Sequence, residues 1–92
     1  MPHIVWKTFP LVWVTWGEES IVFNKSSGNT HLVNSMAAKI LSLLQVQPRS
    51  AEEICQSIAT EMQLDADDEI LQRVKVVFET LDYLGLIESL PQ

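Results

Sequence analysis

The alternation of apolar and polar positions divides this chain into a strand-rich first third and a helical remainder. Residues 11–16 are almost all β-branched or aromatic, which suits a pleated strand. Gly17, Glu18 and Glu19 supply a turn, and residues 20–24 follow with Ile21 and Phe23 on one side and Val22 on the other. Lys25, Ser26, Ser27, Gly28 and Asn29 carry the chemistry of a second turn, after which residues 30–33 form a third strand. The prediction is a three-stranded antiparallel meander. Residues 1–10 hold two prolines and no clean period of two or 3.6, so they read as an N-terminal arm with an edge strand over 4–7.

From Asn34 onward the spacing is helical. Asn34 and Ser35 can cap a helix by accepting bonds from its first unpaired amides, and Met36, Ala37, Ile40, Leu41, Leu43 and Leu44 give it an apolar stripe. This helix runs to about Gln47 and stops before Pro48. Ser50 and Glu53 fit a capping box, which predicts a second helix over 51–62 that buries Ile54, Cys55, Ile58, Ala59 and Met62. Acidic residues at 65 and 67–69 complement the positive end of a third helix, expected over 67–84. Its wide apolar face comprises Ile70, Leu71, Val74, Val77, Phe78, Leu81 and Leu84, with Val76 and Tyr83 on the opposite side. Gly85 ends it, and residues 86–88 form a short extended tail. The order β-β-β-α-α-α predicts an α+β fold of winged-helix-like plan, a three-stranded antiparallel sheet followed by three helices, with residues 11–92 as one domain.

A chain of 92 residues has room for one small core. The aromatic set Trp6, Phe9, Trp13, Trp16 and Phe23 is expected to fill that core against the sheet, although Trp13 and Trp16 have opposite parity, which leaves room for one of them to face outward. Twelve acidic residues against six basic ones give a net charge of −6, the wrong sign for a phosphate backbone. The third helix repeats that imbalance, with Arg73 and Lys75 against Asp67, Asp68, Glu69, Glu79 and Asp82. A lone Cys55 makes no internal disulfide, no secretory pattern precedes it, and no apolar run reaches the ~18 residues of a membrane span. The expectation is a reduced, cytoplasmic protein with no membrane partner.

Candidate chemistry is sparse. His3 and His31 lie far apart without metal-ligand spacing, and Cys55 sits on an apolar stripe as a small hydrophobe. The glycines are isolated turn or cap residues, and the acidic cluster lacks the internal Gly and closing Glu of a calcium loop. No catalytic residue, metal or cofactor is expected. What remains is a strand handed directly to a helix, whose backbone can be offered to a partner.

Four segments carry a resemblance: the tryptophan-containing first strand, the phrase Gly28-Asn29-Thr30-His31-Leu32-Val33-Asn34, the helix Ala37-Ala38-Lys39-Ile40-Leu41, and the closing Leu81-Asp82-Tyr83-Leu84-Gly85-Leu86-Ile87-Glu88. Together they resemble the PqqD-like peptide chaperones, in particular the subgroup associated with HPr-kinase-related gene systems. The resemblance implies a non-enzymatic element that binds the leader of a ribosomally made precursor peptide and presents it to a modifying enzyme, of radical or kinase-related type. The leader would add as an antiparallel strand to Thr30, His31, Leu32 and Val33 and lie against the third helix, a mode known physically as β-augmentation. One margin of that helix carries Arg73, Val77 and Thr80 and the other Leu71, Lys75 and Phe78; the first is the expected groove wall. Arg73 there either pairs with an acidic leader residue or is a plain solvent charge. His31 stands where such strands often carry an apolar residue, and either offers the peptide one hydrogen bond or bonds a neighbouring loop. The alternatives are a winged-helix nucleic-acid-binding regulator and a docking subunit for a partner enzyme. An exposed strand edge also permits a homodimer.

Overall fold

The computed structural model describes residues 4–90. It comprises β1 (Val5–Thr8), β2 (Leu11–Trp16), β3 (Glu19–Asn24), β4 (Asn29–Val33), α1 (Ser35–Val46), β5 (Arg49–Ser50), α2 (Ala51–Met62), α3 (Asp68–Tyr83) and β6 (Ile87–Ser89). The strands form two antiparallel three-stranded sheets, ordered β2-β3-β4 and β5-β1-β6. The first is the expected meander, with Val22 paired to both Trp13 and His31 across its middle strand.

Residues 5–8, expected as part of an arm with an edge strand, instead form the central strand of the second sheet. Val5 and Trp6 pair with Ser50 and Arg49, while Trp6, Lys7 and Thr8 pair with Ser89, Glu88 and Ile87. Lys7 also holds Glu88 at 3.0 Å, and the Thr8 hydroxyl donates to the Leu86 carbonyl at 2.8 Å. The tail after α3 is therefore a paired strand, and the link between α1 and α2 contributes a two-residue strand that the sequence did not announce.

The helices follow their capping chemistry. Asn34 Oδ1 accepts from the Ala37 amide at 2.9 Å to start α1, and Asp67 Oδ1 accepts from Ile70 at 3.0 Å to start α3. At α2 the box is complete: the Glu53 amide donates to Ser50 Oγ and the Ser50 amide to Glu53 Oε1. Gln63 closes α2 in a left-handed conformation, φ 59°, and its successor Leu64 donates to Ala59. Gly85 takes φ 76° at the exit of α3, a conformation that costs glycine nothing.

The core lies where α1, α2 and α3 meet the inner faces of the sheets. Ile40, Leu41, Ile54, Val74, Leu81 and Leu86 are wholly enclosed there, and Cys55 is buried among them. Trp6 stands edge-on to Phe78, ring centroids 5.8 Å apart, so the central strand is fixed to α3 by an aromatic contact. Trp13 packs on the core as expected, but the aromatic set divides: Trp16 is 69% exposed and Phe23 turns to the outer face. Pleating explains it, since Phe23 has the parity of Ile21 and not of buried Val22. Met62, expected inside, lies exposed at the last position of α2.

Candidate functional site

β4 is an edge. It pairs with β3 on one side, and among the described residues no strand pairs with its other side. In an antiparallel ladder alternate residues turn their N–H and C=O groups outward, so this edge offers unpaired main-chain donors and acceptors to an incoming segment. Thr30 and Leu32 are exposed on the outer parity, whereas His31 is half-buried and Val33 buried on the inner one.

Facing this end of β4 is α3. Leu32, Val33, Asn34 and Ala37 form one bank of a groove of about 280 Å³, and Val76, Val77, Thr80, Leu81 and Leu84 form the other. A wider section of about 580 Å³ continues it along α3, sharing Val76 and Val77 and adding Met36, Glu69, Gln72 and Arg73. Of the predicted residues, Leu32, Val33, Val77 and Thr80 thus meet across the first section, and Arg73 lines the second. Thr30 and His31 lie earlier on β4 and line neither. The other margin of α3 turns away: Phe78 is buried in the core, and Lys75 reaches Glu52 of α2 at 3.8 Å.

Why the groove stays open follows from local sequence. Val76 and Thr80 lie one turn apart on the exposed flank of α3, and the Thr80 hydroxyl donates back to the Val76 carbonyl at 3.2 Å. Arg73 holds Glu69 at 3.3 Å, an exposed pair one turn apart that a ligand can rearrange at little cost. His31 Nε2 is buried and has no hydrogen-bond partner among the described residues, so the expected bond to a neighbouring loop is not made at that atom.

Sequence reasoning missed Asn24. Its side chain is buried at the root of the β3–β4 hairpin, where Oδ1 accepts from the Ser26 amide at 2.9 Å and Nδ2 donates to the Gly85 carbonyl at 3.2 Å. That second bond ties the end of β3, opposite Asn29 at the start of β4, to the exit of α3. Val76 was missed as well: the sequence places it opposite the apolar face of α3, and a single exposed apolar residue is by itself no signal of a contact.

Cys55 lies on the buried face of α2. Burial pushes its thiol above the usual range, with the carboxylates of Asp67 and Glu52 adding to the effect, which is the opposite of an activated nucleophile. No group of His, Cys, Asp or Glu suited to holding a metal is present among the described residues. No helix among them is long and apolar enough to cross a membrane.

Comparison with known proteins adds three findings. The solved structure described as "TbiB1 in Complex with the TbiA(beta) Leader Peptide" shares this fold, with a TM-score of 0.71 and 20% sequence identity, covering 94% of this chain and 99% of that one. A search of curated proteins gave no match. The family model for coenzyme PQQ synthesis protein D (PqqD) matches residues 19–87, a span that includes β4, all of α3 and both banks of the groove, and the chain belongs to that family.

Proposed function

We propose that this protein is a non-enzymatic peptide-binding chaperone, which recognises the leader of a ribosomally made precursor peptide and presents it to a modifying enzyme. The observation that carries the reading is the free edge of β4 set beside an apolar wall of α3 in a member of the PqqD family. A peptide added to that edge gains main-chain hydrogen bonds, and every second side chain turns toward the groove. Thr30, His31, Leu32 and Val33 supply the strand, Val77 and Thr80 the wall, and Arg73 the next section along. The leader peptide bound by TbiB1, a protein of the same fold, supports this class of ligand.

Nucleic acid is a poorer occupant. The exposed side of α3 presents Asp68, Glu69, Glu79 and Asp82, carboxylates that repel phosphates.

Titrating the isotope-labelled protein with the leader of an adjacent precursor reading frame tests the binding step. Amide shifts should concentrate at residues 30–33 and along the groove side of α3; shifts confined to another surface would refute the placement. Presentation is tested separately, by measuring whether the neighbouring modifying enzyme joins the protein–peptide pair in one complex.

A further inference from the structure

Beyond Arg73 the groove opens into a third section of about 440 Å³, between the C-terminal end of α2 and the start of α3. Met36, Ile58, Met62, Leu64 and Ile70 give it an apolar lining, and it shares Met36, Glu69 and Arg73 with the section before it. Met62 and Leu64 stand at its lip, 58% and 52% exposed. Three carboxylates, Asp65, Asp67 and Glu69, share the lining with a single guanidinium, Arg73, already paired to Glu69.

The order of the sections fixes a direction. The section lined by Leu32, Val33 and Asn34 has residues 76–84 on its α3 side, and the next, lined by Met36, has residues 69–77, so α3 is met in reverse as the chain advances. The bond from Asn24 to Gly85 independently sets the end of β3, which pairs with Asn29 at the start of β4, against the end of α3. β4 and α3 therefore run antiparallel. A peptide paired antiparallel with β4 runs parallel to α3, and the residues that precede its strand segment pass over Met36 into the third section.

We infer that this section is a second anchor site for the same peptide, taking an aliphatic or aromatic side chain flanked by Lys or Arg, on the N-terminal side of the strand segment. The inference rests on the strand-addition reading proposed above. Its spacing follows from the geometry: Ile70 and Thr80 are about 15 Å apart along α3 at ~1.5 Å per residue. An extended peptide covers that in roughly four to five residues at ~3.3 Å each. Two methionines at the site adapt to differently shaped side chains, so the site selects for apolar bulk more than for one residue. The carboxylates choose the sign of the flank, because like charge is rejected more strongly than opposite charge is rewarded at an exposed rim.

Displayed random peptides long enough to span all three sections, selected on the full chain, are the probe. Enriched sequences should show an apolar residue with basic neighbours about four to five positions before an alternating segment. A synthetic copy should shift amides at 30–33 and also at Met62, Leu64 and Ile70. Removing its N-terminal flank should weaken binding about tenfold while the shifts at 30–33 persist. Met62→Arg, at an exposed position, should cost about tenfold with the full peptide and less than about twofold with the shortened one. If truncation and Met62→Arg leave affinity unchanged while 30–33 still respond, the second anchor is refuted and strand addition stands. If 30–33 never respond, both fail. Tighter binding after the flanking Lys and Arg are changed to Glu would overturn the charge assignment.

Discussion

Asn24 donates its side-chain N–H to the carbonyl of Gly85 at 3.2 Å, so one hydrogen bond across 61 residues joins the root of the β3–β4 hairpin to the exit of α3. Both banks of the groove depend on that junction. Asn24→Ala removes this bond and the one from Ser26, which should cost about 1–2 kcal/mol in denaturant unfolding. Peptide affinity should fall as well, because the separation of β4 from α3 is no longer held.

The free edge can be tested without disturbing the core. Leu32 is 64% exposed, so Leu32→Lys should change stability by no more than ~0.5 kcal/mol. Titration calorimetry with a leader peptide should nevertheless register a loss of about tenfold in affinity, since the substitution places a charge on the apolar bank.

Strand addition makes a second, backbone-level claim. Methylating successive amide nitrogens of a bound peptide should weaken binding at every other position, because only alternate residues face β4 in an antiparallel ladder. Uniform effects along the peptide would indicate a docking mode without main-chain pairing.

At α2 the capping box joins a helix start to β5, since Ser50 belongs to both the cap and the second sheet. Ser50→Ala should lower stability by about 1 kcal/mol, with Glu53 left reaching for an amide but no longer held by the hydroxyl. Thermal unfolding provides the measure, and no change in melting temperature would contradict the assignment.

Cys55 predicts a pH dependence of definite sign. Its thiol is raised in the folded protein, so as pH climbs through the ordinary thiol range the unfolded chain loses its proton first. The unfolded state then binds fewer protons, and stability falls as pH rises from the ordinary thiol range up to the folded value. Below that range the group contributes no slope. Cys55→Ala should flatten the alkaline decline in denaturation midpoints, and the native thiol should react with a thiol reagent only as fast as the protein opens.

The elements that announced themselves were those with local signatures. Asn34 and Ser50 each cap the helix expected of them, Asp67, expected as the first residue of the third helix, caps it instead, and the meander registers follow from alternation around Val22. β1 reads from the sequence only as an edge strand over 4–7 within an arm, and its central place in a second sheet is hidden for a physical reason: all four of its residues are half-buried, so no alternation marks a face, and its partners lie at residues 49–50 and 87–89. At the groove, Val77 and Thr80 could be placed on one margin of α3 from helical spacing alone. Which strand residues they would face depended on Gly85 and Asn24, a long-range relation that no local pattern contains.

The seam between β1 and β6 has a consequence for synthesis. Thr8 and Ile87 pair only once β6 has been made, so one side of β1 waits for β6 while its other side can already pair with β5. Until α3 has been made Trp6 has no Phe78 to rest on and β4 has no opposing helix. A nascent chain therefore carries an unguarded strand edge before it owns the facing wall, and the groove exists only once α3 has folded against β4.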